Sequence, residues 1–210
     1  MKTGAGSVLI FVALVVFVIS GGQLPWMSPG AGKFSEVATA GGDFELLEKG
    51  RLIEGRNSDG DSFHVKHEKG ETEFRLYFVD APESAYRTYR GGDNNGKRLD
   101  DQGKDFGGLS REETVAIGKK AKEFVLGILR EGDFKVLTKW EEVFGPKRSY
   151  ALVIVPWEGR EVYLHELLVF RGLARVHTKG TDLPGGRARE AQEGLLEKWE
   201  KELGVVTGPD

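Results

Sequence analysis

Residues 62–80 read SFHVKHEKGETEFRLYFVD. Two strand-like runs flank KGE, a tight-turn signal, and this facing pair limits the possible folds more than any other stretch. Phe63 and Val65 point one way, His64 and Lys66 the other, so one face must meet a core. Upstream, FELLEKGRLIEGR at 44–56 reads as a strand interrupted at Gly50, and the DG at 59–60 as a turn. Three early strands in a meander are expected, the third running from Arg75 at its start to Asp80 at its end.

Helices come next. Ser110 with Glu113 three residues on has capping-box spacing. Ile117, Ala121, Phe124, Val125 and Ile128 recur at helical spacing, and Gly132 lies just past the end. FKVLTKW and SYALVIV are two more strands. EVYLHELLVFRG reads as a second helix with Leu164, Leu167 and Leu168 inward. A third runs from about Arg187 to Leu203, with Leu195, Trp199 and Leu203 on one stripe. This order predicts an α+β fold that is mainly a β barrel: five strands of OB type with about three packed helices. The domain spans 42–205 and carries a loop insertion at 85–109.

Composition removes whole classes of function. The formal net charge is −3, which argues against coating nucleic acid by bulk charge. With no cysteine, disulfides, zinc knuckles and thiol catalysis are excluded. HELLV at 165–169 has half a zinc-protease motif and no second histidine, so His165 reads as a packing or helix-surface residue. The N-terminus is separate. Residues 1–22 begin with Lys2 and run apolar from Val8 to Ile19, which reads as a signal peptide or, if uncleaved, a membrane anchor. Residues 23–41 read as a flexible linker. The expected location is secreted, periplasmic, or membrane-anchored with the domain outside the cytoplasm, with membrane contact only through that segment.

Four blocks remain: DGDSF at 59–63, FRLYFVDAPES at 74–84, KRSYALV at 147–153 and RGLARV at 171–176. In this order they resemble the staphylococcal nuclease (thermonuclease) family over roughly residues 45–203. The resemblance implies a five-stranded OB barrel with three helices, and a Ca²⁺-dependent phosphodiesterase, an endonuclease acting on DNA or RNA and leaving a 3′-phosphate. It puts metal ligands at Asp61, Asp80 and the backbone carbonyl of Ala81. The carboxylate that handles the attacking water falls on Glu83, and the phosphate-binding arginines on Arg75 and Arg148. Ser62 keeps the hydroxyl of the family's threonine. The chemistry suits these types: a hard cation and two forked guanidiniums neutralise the charge gathering on phosphate oxygens, while a carboxylate activates water. The chain departs from the family after GLA, where RVHTKGT has no tyrosine pair to hold a nucleotide.

The insertion opens YRTYRGG. Tyr86 and Tyr89 could stack on bases while Arg87 and Arg90 meet phosphates; or the segment is a solvated loop whose later acids cancel its charge. GGDNNGKR at 91–98 has P-loop spacing but ends in Arg98 where Ser or Thr is needed, and NSDGDS lacks the closing Glu of an EF-hand. The expected activity is metal-dependent nucleic-acid hydrolysis by a monomer; the alternative is a non-catalytic OB-fold nucleic-acid-binding module.

Overall fold

The computed structural model describes residues 34–143 and 148–203, and the described residues from Ser35 onward form one compact unit. The strands β1 (Glu45–Leu52), β2 (Ser62–His67) and β3 (Gly70–Leu76) make the expected antiparallel meander. Strands β5 (Phe134–Glu142) and β6 (Arg148–Trp157) form a hairpin, with β5 beside β1. The first half of β6 pairs in parallel with β3, so β1-β2-β3-β6-β5 closes into a five-stranded mixed barrel. The fold expected from the sequence is the one observed.

Closure follows from the alternation. Phe63 and Phe74 are register partners, and both are fully buried, as are Val65, Leu76, Val136, Ala151 and Val153. Removing either ring would cost about 3–5 kcal/mol, because the close-packed interior cannot collapse into the hole.

Helix α2 (Arg111–Arg130) starts at the capping box: the Ser110 hydroxyl accepts from the Glu113 N–H, and the Glu113 carboxylate accepts from the Ser110 N–H. Its buried stripe includes Ile117, Ala121, Val125 and Ile128. Helix α3 (Leu164–Phe170) is shorter than the sequence suggests, because Arg160–Tyr163 form β7, which takes the second half of the β6 edge. Helix α4 (Arg189–Leu203) buries Leu196 and Trp199, with Trp199 edge-on to Phe170. His165 is a packing residue, fully buried and stacked between Phe78 and Tyr163.

Two expectations fail where backbone geometry overrides pattern. Residues 75–80 are not one strand. Phe78 has φ 73, a left-handed conformation that costs a residue with Cβ on the order of 1 kcal/mol. It persists because its N–H donates to the Lys179 carbonyl and its own carbonyl accepts from the His177 N–H. After this kink Val79–Asp80 form a separate strand, β4, paired with β8 (Arg175–Val176) outside the barrel. The insertion is also not a plain loop: it contains a fourth helix, α1 (Gly96–Asp105), packed against α2.

The signal or anchor expected at 1–22 lies outside the described residues. So do residues 23–33 of the linker and 144–147 of the loop before Arg148. At the described end of the linker, the Ser35 N–H donates to Glu166 and the Ala38 N–H to the Tyr163 hydroxyl. Among the described residues no helix is long and apolar enough to cross a membrane.

Candidate active site

The outer face of β3 is the floor of the site. Glu73 and Arg75 alternate with the buried Phe74 and Leu76 and so point away from the barrel interior. Ser62 on β2 is the register partner of Arg75, and Arg148 on β6 is that of Glu73. Cross-strand partners share a face, so three strands put these four side chains on one patch. The turn after β4 adds Ala81 and Glu83, and the loop before β2 adds Asn57, Asp59 and Asp61. With Arg87 and Arg98 these residues line a cavity of about 260 Å³. A larger concavity, of about 480 Å³ at Arg51 and Asp133, is bordered by exposed ion pairs far from this chemistry, so size alone does not mark the site.

Helix α2 backs the site directly. A side chain at Gly118 would collide with the Pro82 and Glu83 carbonyls, and one at Gly60 with Ala81 and Ala121. These two glycines let the Glu83 turn and the Asp61 loop rest on the helix backbone. Glu83 is thereby fixed by main-chain packing as well as by its side chain.

Asp80 is a buried hub, 2% exposed. Its Oδ1 accepts from Arg75 Nη2 at 2.7 Å and Arg98 Nη2 at 3.0 Å. Its Oδ2 accepts from Gln102 Nε2 at 2.9 Å and from Arg175 Nη2 and Nε at 2.9 and 3.2 Å. Asp61 is 3% exposed. Its Oδ1 accepts from the Ser62 hydroxyl at 2.9 Å, and its Oδ2 from the Ala81 N–H at 3.1 Å. Arg75 Nη2 also lies 3.1 Å from Asp61 Oδ2, so one nitrogen bridges both aspartates. Glu83 Oε1 receives Arg98 Nε at 2.9 Å, and the Glu83 N–H donates to Gln102 Oε1 at 3.1 Å. Arg148 Nη1 is 3.6 Å from Glu73.

Burial and charge push the two aspartates apart. Burial raises the Asp61 carboxyl to about 6; Arg75 opposes this and the negative Asp80 adds to it. Burial acts on Asp80 too, but the Gln102 hydrogen bond and the guanidiniums of Arg98, Arg75 and Arg175 outweigh it and hold Asp80 below the usual carboxylate range. For Arg75, burial works against the cation, yet Asp61 and Asp80 raise its pKa above the ordinary arginine value. Two neighbouring acids held at different protonation thresholds are a common mark of a working site.

All six residues expected from the sequence are therefore local to one another. Asp61, Arg75, Ala81, Glu83 and Arg148 line the cavity, and Asp80 is bonded to two of its lining residues. Of the four insertion residues, Arg87 lines the cavity, its Nη2 3.9 Å from Asp59. Tyr86 and Tyr89 are 49% and 52% exposed, Arg90 is exposed, and the Arg111 guanidinium sits over the Tyr86 ring at 5.5 Å.

Sequence reasoning missed Arg98, Gln102 and Arg175. Arg175 was visible inside RGLARV but had no assigned partner. Arg98 and Gln102 stand four apart, one helical turn, yet nothing nearby in sequence says what that face meets. Among the described residues no group of three or more histidine or acidic side chains is arranged to hold a metal ion. No family model matches the sequence, and no curated protein matches it.

Proposed function

We propose that this protein is a metal-dependent nuclease that hydrolyses phosphodiester bonds in DNA or RNA, as its resemblance to the staphylococcal nuclease family implies. One observation carries the reading. Five of the positions assigned from the resemblance, spread over residues 61–148, come together around a single cavity. A set of unrelated surface ion pairs would not need them in one place.

In this reading Arg148 and Arg75 hold the non-bridging oxygens of the scissile phosphate, each with a planar fork that matches two oxygens. Glu83 takes the proton of the attacking water as its oxygen bonds to phosphorus, the P–O5′ bond breaks, and the leaving 5′-oxygen takes a proton from solvent. The Ala81–Ser84 turn rests on α2, so that carboxylate is held in place before substrate arrives. Positive charge fixed beside the phosphate acts where negative charge develops in the transition state.

The donor set is compatible with a hard divalent cation. Asp61, Asp80 and the Ala81 carbonyl offer oxygen only, and both carboxylates already reach one common atom, Arg75 Nη2, from 3.1 and 2.7 Å. Asp61, which burial makes reluctant to ionise, gains from a cation that repays its charge. When bound, Ca²⁺ would polarise the phosphate and stabilise its developing charge. Two carboxylates make a weak site, suited to the high Ca²⁺ concentration outside cells and so to the export read from residues 1–22.

The test is a nuclease assay on the purified protein with Ca²⁺ and with chelator, using single-stranded DNA and RNA. Turnover that needs Ca²⁺ and vanishes in Glu83→Gln supports the reading. Binding without turnover under every metal condition would leave the non-catalytic OB-fold module instead.

A further inference from the structure

The run GGDNNGKR ends in a cavity arginine to which the reaction outlined above gives no part. Arg98 reaches the site because α1 is fastened to the body: Leu99 and Phe106 are buried at 0% and 2% exposure. The segment before it is ordered by the buried Asn95, whose side chain accepts from the Arg87 N–H and donates to the Ala85 carbonyl, both at 2.8 Å. One turn beyond Arg98, the fully buried Gln102 touches Asp80, the Ala81 carbonyl and the Glu83 N–H. Helix α1 thus presents two side chains to both Asp80 and Glu83.

The cations of the site differ in how firmly they are committed. The Arg75 side chain is 11% exposed and bridges two buried carboxylates. That of Arg98 is 48% exposed, though it bonds Glu83 and Asp80. A half-exposed ion pair adds little stability, so holding the helix down is a poor reason for a guanidinium here; Leu99, Phe106 and Gln102 already do that. Asp80 also keeps Arg75, Arg175 and Gln102 when Arg98 leaves. The Glu83 bond is the one a phosphate entering the cavity would compete for.

We propose that Arg98 is a third phosphate-gripping residue of this site. Without substrate its guanidinium rests on Glu83 and Asp80. A phosphodiester in the cavity takes over that guanidinium with two of its oxygens, which adds a forked grip and leaves Glu83 facing water. This rests on the nuclease reading for its substrate.

The experiment compares wild type, Arg98→Ala and Arg98→Lys in three measurements. Arg98→Ala should raise KM for single-stranded DNA by about 10- to 100-fold, the scale of a lost charged hydrogen bond, with a smaller fall in kcat. Arg98→Lys, which keeps charge without the fork, should fall between. Guanidinium ion at low concentration should restore part of the loss in Arg98→Ala and do nothing for wild type. A merely structural arginine would lower the melting temperature, leave KM alone and show no rescue; that pattern overturns the proposal. The third measurement is calorimetric binding of inorganic phosphate, which needs no turnover. Should the wild type prove inactive, the nuclease reading fails while this arm still decides the role of Arg98. Equal phosphate affinity in wild type and Arg98→Ala, or no phosphate binding by wild type, overturns the grip. If Arg98→Ala does not fold, Arg98→Lys and Arg98→Gln carry the same comparison.

Discussion

Asp61→Asn should make this protein more stable at neutral pH. Asp61 is 3% exposed, and burial, with the charge of Asp80, lifts its carboxyl from 3.8 to about 6. Between those values the folded protein keeps a proton that the unfolded chain has released. Stability from this group is therefore full below about 3.8 and is lost as pH rises through about 6. At about 1.4 kcal/mol per pH unit, the rise to about 6 makes that loss on the order of 3 kcal/mol. Asparagine carries no charge and escapes it. Its oxygen can accept from the Ala81 N–H, and the Ser62 hydroxyl can turn to accept from its amide, so both present hydrogen bonds keep a partner. Arg75 loses one anionic neighbour but retains Asp80 at 2.7 Å. The attraction of Arg75 for the ionised carboxylate is already contained in the rise to about 6, so the net gain stays on the order of 3 kcal/mol. Urea unfolding of both proteins from pH 4 to 8, in chelator, measures this directly. The two stability curves should meet near pH 4 and separate above pH 6, with Asp61→Asn on top. Parallel curves, or a less stable variant at pH 7.5, would mean that Arg75 repays the charge of Asp61 in full.

Glu83→Gln should lower turnover by at least about 10²-fold, the scale of a general base, with the melting temperature unchanged; normal rates would remove Glu83 from the reaction. Asp61→Ala and Asp80→Ala should each weaken Ca²⁺ binding by calorimetry, and full wild-type activity in excess chelator would refute the metal assignment. Asp80→Ala should also destabilise the fold by about 3–5 kcal/mol, because it strips a shared anion from Arg75, Arg98 and Arg175. Single-stranded DNA or RNA should be cleaved faster than duplex, and Tyr86→Ala with Tyr89→Ala should raise KM for a single strand more than it lowers kcat. Wild-type kinetics in that double variant would make the exposed tyrosines bystanders, and equal rates on duplex and single strand would refute the single-strand preference.

The barrel was legible because its causes are local. Alternation in 62–76, the turn signal at KGE and the capping box each act over a few residues; the structure carries the first and last unchanged and places the turn at Glu68–Lys69, with Gly70 and Glu71 already paired in β3. The β3–β4 break was not. FRLYFVD has the composition of one strand, and only the carbonyl of Lys179 and the N–H of His177, about a hundred residues on, hold Phe78 at φ 73. Strand β7 was hidden for a related reason. Its four residues resemble the start of the helix they precede, and the free edge of β6 decides their state.

The site divides along the same line. Arg75 and Arg148 fall where strand register puts them, and the blocks that carry the resemblance contain them. Helix α1 had no such support: GKRLDDQGKD holds two glycines and one large apolar residue, too little for an amphipathic stripe. What makes it a helix is tertiary, the burial of Leu99 and the reach of Gln102 into the site. The dependence also runs the other way. Asp80 stays ionised in a buried position because Gln102 and Arg98 come from α1, Arg75 from the barrel and Arg175 from β8. One carboxylate therefore ties three separate elements to the site, and the insertion contributes to keeping it charged. The short run that looked like a failed phosphate loop supplies the helix that this carboxylate requires.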